Sequence, residues 1–150
     1  MSDEVAVNTE VEDRAAQEAK DKADKAAWFA DLKVRFGPGA PDEAIVEAWK
    51  KSSGRVRVAA FTIDEIYFYR PLRSTEYKGL IAQVMNIKGQ VEQNELLKEK
   101  MVAAAVLWPR LDASEMGALF AGTKDSLHLM IMQASNFVTQ EEAELMVREL

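Results

Sequence analysis

The sequence contains no cysteine and a single histidine, His128, among its 150 residues. The first absence excludes disulfides, thiolate nucleophiles, iron–sulfur clusters and cysteine-based zinc sites, so stability has to come from packing. The second leaves little room for imidazole chemistry. Long apolar runs are missing too: the longest, Met101 to Trp108, is far below the roughly 20 residues that cross a bilayer. Met1 to Asp13 holds five acids and no base, the reverse of the positive start of a secretory signal. Neither export nor a membrane partner is expected. A basic surplus is also lacking, since 25 acids against 19 bases leave a net charge of -6. That balance argues against nucleic acid as a partner, because phosphate contacts need a concentrated positive field.

What is present suffices for a core. Hydrophobic residues make up 48% of the chain, and a compact domain of this length hides roughly 70% of its unfolded surface. Charge divides the chain unevenly: residues 14–111 carry 17 bases and 13 acids, whereas residues 112–150 carry two bases and seven acids. Residues 1–13 are expected as an acidic disordered arm, residues 14–36 as an Ala-rich helix, and residues 37–150 as a single domain. The fold class is α+β, mainly α, with one β-hairpin near residues 55–70.

Local patterns place the elements. Ala, Lys, Glu and Asp from Arg14 to Leu32 favour a helix, and Trp28, Leu32 and Phe36 recur every fourth residue, so it is anchored at its C-terminal end. Gly37, Pro38, Gly39 and Pro41 break the chain, and a short helix follows over Asp42 to Lys51 with Asp42 in its first turn. The period then changes: Arg55-Val56-Arg57-Val58 alternates, and Ile66-Tyr67-Phe68-Tyr69 is β-branched and aromatic, which predicts two strands around Thr62 to Glu65. Ser74 is the expected cap of a helix over Thr75 to Lys88, with Tyr77, Leu80, Ile81, Val84 and Met85 on its apolar face. A longer helix over Gln93 to Leu107 lines up Leu97, Met101, Ala105 and Trp108 before Pro109 stops it. Shorter helices are expected over Ser114 to Ala121, Lys124 to Ala134 and Gln140 to Arg148. Asp112 with Glu115, and Thr139 with Glu142, have the spacing of capping boxes.

Reactive constellations are scarce. His128 has only Asp125 as a nearby carboxylate and otherwise apolar neighbours, which reads as a helix-borne histidine rather than a metal ligand. Ser126, His128 and Asp125 point to different sides of one helix, so they cannot act as a catalytic triad. Proline in Gly37-Pro38-Gly39 removes a donor that a phosphate cradle would need. The pairs Asp64-Glu65 and Glu141-Glu142 have structural explanations in a hairpin turn and a helix's first turn. Arg70, between an aromatic strand and Pro71, can grip backbone carbonyls or Glu76 and tie the hairpin to the next helix. Six methionines, Met85, Met101, Met116, Met130, Met132 and Met146, lie in the helical regions; thioethers suit adaptable grooves, but at least four of the six are expected to fill the core. No catalytic, metal or cofactor site is assigned.

Ile66 to Tyr77, then Val106-Leu107-Trp108-Pro109, Leu119-Phe120-Ala121-Gly122, Leu127 and Ser135-Asn136-Phe137, resemble small tail proteins of contractile-tailed bacteriophages, usually described as tail assembly chaperones or baseplate-hub-like proteins. The likeness covers Val56 to Leu150, and Asn136 stands where the pattern has glycine. It implies a non-enzymatic protein that chaperones a tail component, such as the tape-measure protein, in the host bacterial cytoplasm. The alternative it leaves is a permanent subunit of the baseplate or tail. In either case Pro109, Gly122 and Asn136 read as helix stops. Trp28, Phe29, Tyr67, Tyr69, Arg70, Tyr77, Trp108 and Phe137 are the candidate partner-binding or architectural residues.

Overall fold

The structure, a computed structural model, describes residues 2–150 and the side chains from Thr9 onward. It is mainly helical with a small antiparallel sheet, the α+β class expected. Backbone contacts divide the chain into two compact units, one ending at Glu47 and the other spanning Ala48 to Leu150.

The first unit is dominated by α1, Ser2–Phe36, and takes in the start of α2, Glu43–Ser53. Helix α1 runs through Asp13 and Arg14, where a disordered arm was expected to give way to helix. No glycine or proline interrupts the chain before Gly37, and acids crowd the end where the helix dipole favours them. Asp3 and Glu4, part of the expected arm, lie outside the described side chains. From Thr9 to Ala27 every side chain of α1 is exposed, whereas Phe29 and Leu32 are buried and Trp28 is half-buried. The anchor thus sits at the C-terminal end, as the spacing predicts. Asp42 stands one residue before α2 and accepts the Ile45 N–H at 2.9 Å, so it caps the helix rather than belonging to its first turn.

In the second unit β1, Arg57–Thr62, and β2, Glu65–Tyr69, form the expected hairpin, with Ala59 opposite Tyr67 and Val58 opposite Phe68. Its start is two residues later than the Arg-Val alternation suggests, and the buried member of β1 is Ala59, while Val58 is exposed. A third strand, β3, Val106–Trp108, pairs antiparallel with β2 and places β2 at the centre. The sequence pattern reads these residues as the end of a helix. Val106, Leu107 and Trp108 suit a pleated surface, and the otherwise unpaired edge of β2 gives them a ladder.

Helices make up the rest of this unit: α3, Ser74–Val84, α4, Gln90–Ala105, α5, Ala121–Ala134, and α6, Gln140–Met146, with a 3-10 turn at Ala113–Ala118. Of these, α4 and α5 supply most of the core residues that meet the sheet, and α6 has no buried residue. Tyr67 and Tyr69 project into one core with Met101, Val102, Ala105, Leu127 and Ile131. On the other side of β2, Phe68 is 1% exposed and meets the Trp49 and Trp108 rings at 5.9 and 6.1 Å. Three expected signals act differently. Ser74 opens α3 instead of capping it, and Arg73 stands at the cap. Asp112 makes no side-chain cap bond; its carbonyl accepts the Glu115 N–H in the tighter 3-10 geometry. Gly122 lies inside the first turn of α5, so it is not a helix stop.

Candidate functional site

The sequence-nominated residues separate into an architectural set and an exposed one. The Arg70 guanidinium donates to both oxygens of Glu76 at 2.9 and 2.7 Å, and also to the carbonyls of Pro71 and Ala104 at 3.1 and 3.2 Å. The Arg70 backbone N–H donates to Ala105 O at 2.9 Å. The clamp read from the sequence is therefore present, and it holds the end of α4 as well as the hairpin and α3. Glu76 also accepts the Arg73 N–H at 3.2 Å. The Arg70 hydrogen bonds, above all, hold its carboxyl below the ordinary carboxylate value. Tyr67, Tyr69 and Phe29 are buried, and Trp28 packs edge-on to Phe29 at 5.0 Å. These contacts assign the five residues an architectural part.

Two polar networks extend this region. Glu65 receives Tyr67 Oη at 3.1 Å and Thr123 Oγ1 at 2.9 Å, joining the hairpin to α5. Burial, with Glu65 alongside, pushes the Tyr67 phenol up to about 12, so it stays a neutral donor. Between α4 and α5, Lys98 bridges Glu95 and Asp125, and Lys124 bridges Glu95 and Glu99, at 3.0–3.3 Å. His128 is half-buried on α5, and desolvation followed by the Lys98 charge lowers its pKa. Lys98 comes from a distant stretch of chain and is absent from the sequence reading of the histidine. Among the described residues no group of three or more His, Asp and Glu side chains could hold a metal ion.

The exposed set begins where α5 ends. Asn136 adopts a left-handed conformation, φ 67°, a region asparagine tolerates. Its N–H donates to Gln133 O at 3.1 Å, and that of Phe137 to Met132 O at 3.0 Å. This pair of bonds is a Schellman closure, which satisfies the last helix carbonyls and commonly sets an apolar residue beside the preceding turn. Arg55 adds a bond to Ala134 O at 3.1 Å. The stop expected at Asn136 is thus built, and it directs Phe137 against Tyr77, with ring centroids 5.1 Å apart. Thr139 then caps α6 by accepting the Glu142 N–H at 3.2 Å, the role its spacing predicts.

This turn leaves an open groove of about 240 Å³ lined by Leu129, Met132, Phe137, Val138 and Glu142. No residue of α6 is buried. Apolar side chains continue beyond the groove: Leu145 is 88% exposed, with Met146, Val147 and Leu150 also open to solvent. Sequence reasoning singled out Phe137 but not Leu129, Val138 or Leu145; its account of α6 rested on a capping box, and nothing in that motif tells which helix face lacks a neighbour. A second pocket of about 290 Å³, beside Arg55, Arg73 and Ser135, is polar. Of the six methionines Met101 and Met116 are buried, Met130 and Met132 pack against the core, and Met85 and Met146 are exposed. Four core fillers of six is the expected share. Comparisons with protein-family models, curated proteins and solved structures return no match.

Proposed function

We propose that the chain is a non-enzymatic protein-docking subunit whose working surface is the apolar face formed by the end of α5, Phe137, Val138 and α6. One observation carries this reading: Phe137-Val138 just before α6 and Leu145-Met146-Val147 at its end leave large apolar side chains open to solvent, and no residue of the helix between them is buried. Continuous exposed apolar surface marks interaction sites in folded proteins. The order of motifs from Ile66 to Phe137 supports a contractile phage tail as the setting, with a tail component such as the tape-measure protein as the partner held before assembly. A permanent baseplate or tail subunit is the alternative, and the long exposed stretch of α1 favours it as an additional attachment.

Affinity capture from phage-infected cells, combined with mass spectrometry of purified particles, separates the two. A chaperone co-purifies with an unassembled tail protein and is absent from mature particles. A permanent subunit is recovered from particles in stoichiometric amount. Retention of the tail partner by a Phe137→Ala, Leu145→Ser chain would contradict the assignment of this face.

A further inference from the structure

We propose that the α5–α6 groove receives a basic amphipathic helix, its apolar side chains seated on Leu129, Phe137 and Val138 and continuing over Leu145, and its lysines or arginines set against the acids of α6. The inference rests on the docking reading above and specifies the partner's chemistry. The groove is walled by side chains from two helices and the turn joining them, with no strand edge in its lining. That shape takes a helix through apolar anchors at i, i+3 and i+4 rather than an added strand.

Charge selects the kind of helix. Glu141, Glu142 and Glu144 lie on α6, and no lysine or arginine occurs between Lys124 and Arg148. Glu142 lines the groove itself, and Glu141 and Glu144 stand beside it on the same helix with Thr139 and Gln140; Lys124 is turned to Glu95 and Glu99 on α4, and Arg55 is engaged with the Ala134 carbonyl. First-turn acids suit the α6 dipole, but Glu144 lies beyond that turn, so the dipole does not account for all three. An apolar floor with an acidic rim speeds encounter with a basic partner and repels an acidic one.

The test uses the full chain and two fluorescent model peptides of about 18 residues, long enough to be helical. Both have the same leucine face; one carries lysines and the other glutamates on the polar face. Fluorescence anisotropy at low salt should show the Leu/Lys peptide binding at least about tenfold more tightly, with the gap narrowing as salt screens the charges. Glu141→Lys, Glu142→Lys and Glu144→Lys together should reverse the preference, and Phe137→Ala with Leu145→Ser should weaken both peptides. Equal binding of the two peptides overturns the basic partner while leaving the docking face intact, and so does a preference that the three reversals do not move. Failure of both peptides, with a concentration-dependent dimer in sedimentation that Leu145→Ser abolishes, shows a second copy as the occupant and overturns the proposal. Failure of both with a monomeric chain overturns the docking face itself.

Discussion

The centre of the sheet and the segment around the C-terminal helix both carry large apolar side chains and use them in opposite ways. On β2, Ile66, Tyr67, Phe68 and Tyr69 are all buried, and Arg70 at its end is bonded to three other partners in the chain besides its neighbour Pro71, with every contact made inside one unit. Around α6, Phe137 rests one side on Tyr77 and is otherwise exposed, and Val138, Leu145 and Met146 are comparably apolar and open to solvent. Apolar character alone therefore does not distinguish a core from an exposed face. What differs is whether another element of the same chain arrives to cover the side chains, as α4 and α5 do for β2 and none does for α6.

Substitutions should expose that contrast as a gradient of stability effects. Phe68→Ala, at a site 1% exposed, should cost about 3–5 kcal/mol, the lost transfer energy plus a cavity that Trp49 and Trp108 cannot fill. Equilibrium denaturation by urea would show it as a lowered midpoint. Arg70→Ala should cost about 2 kcal/mol, because it strands the Ala104 and Pro71 carbonyls and a carboxylate already partly screened by solvent. Arg70→Lys should restore little, since an ammonium lacks the planar fork.

The same clamp should be sensitive to acid. Because Arg70 holds the folded Glu76 carboxyl below its ordinary value of 4.5, the folded state favours the charged form more than the unfolded chain does. Its stabilisation is complete above the unfolded value and is lost as pH falls through the lower, folded one. A Glu76→Gln chain should therefore start less stable at neutral pH and lose less on acidification, measured as urea midpoints across the acid range.

The C-terminal face should respond weakly. Thr139→Ala should remove about 1 kcal/mol from α6 alone, visible as faster amide exchange of Glu142 and its neighbours with little change in the global midpoint. Leu145→Ser should change the stability by less than about 0.5 kcal/mol, leaving the urea midpoint nearly where it was.

The parts of this contrast that depend on local chemistry were legible in the sequence. Arg70 has one suitable carboxylate close by, Asn136 is a residue that accepts left-handed geometry, and Thr139-Glu142 is a local cap; each is realised. Features decided by distant partners were not. Gln93 to Leu107 reads as one helix because its helix formers run on into Val106 without a breaker, and only the edge of β2 draws Val106 to Trp108 into a strand. Asp112 has the spacing of a cap, but the 3-10 turn takes its carbonyl instead. The exposure of Leu145 is a fact about what fails to pack on α6, and periodicity carries no such information.

The central claim is that the apolar C-terminal face serves binding and not folding. It is tested most directly by measuring, on one Leu145→Ser preparation, both the urea midpoint and the affinity for the Leu/Lys peptide. The account predicts a midpoint within error of the parent chain together with a binding loss of at least about fivefold, roughly 1 kcal/mol. Undiminished binding, or a midpoint lowered as far as that of Phe68→Ala, would contradict it.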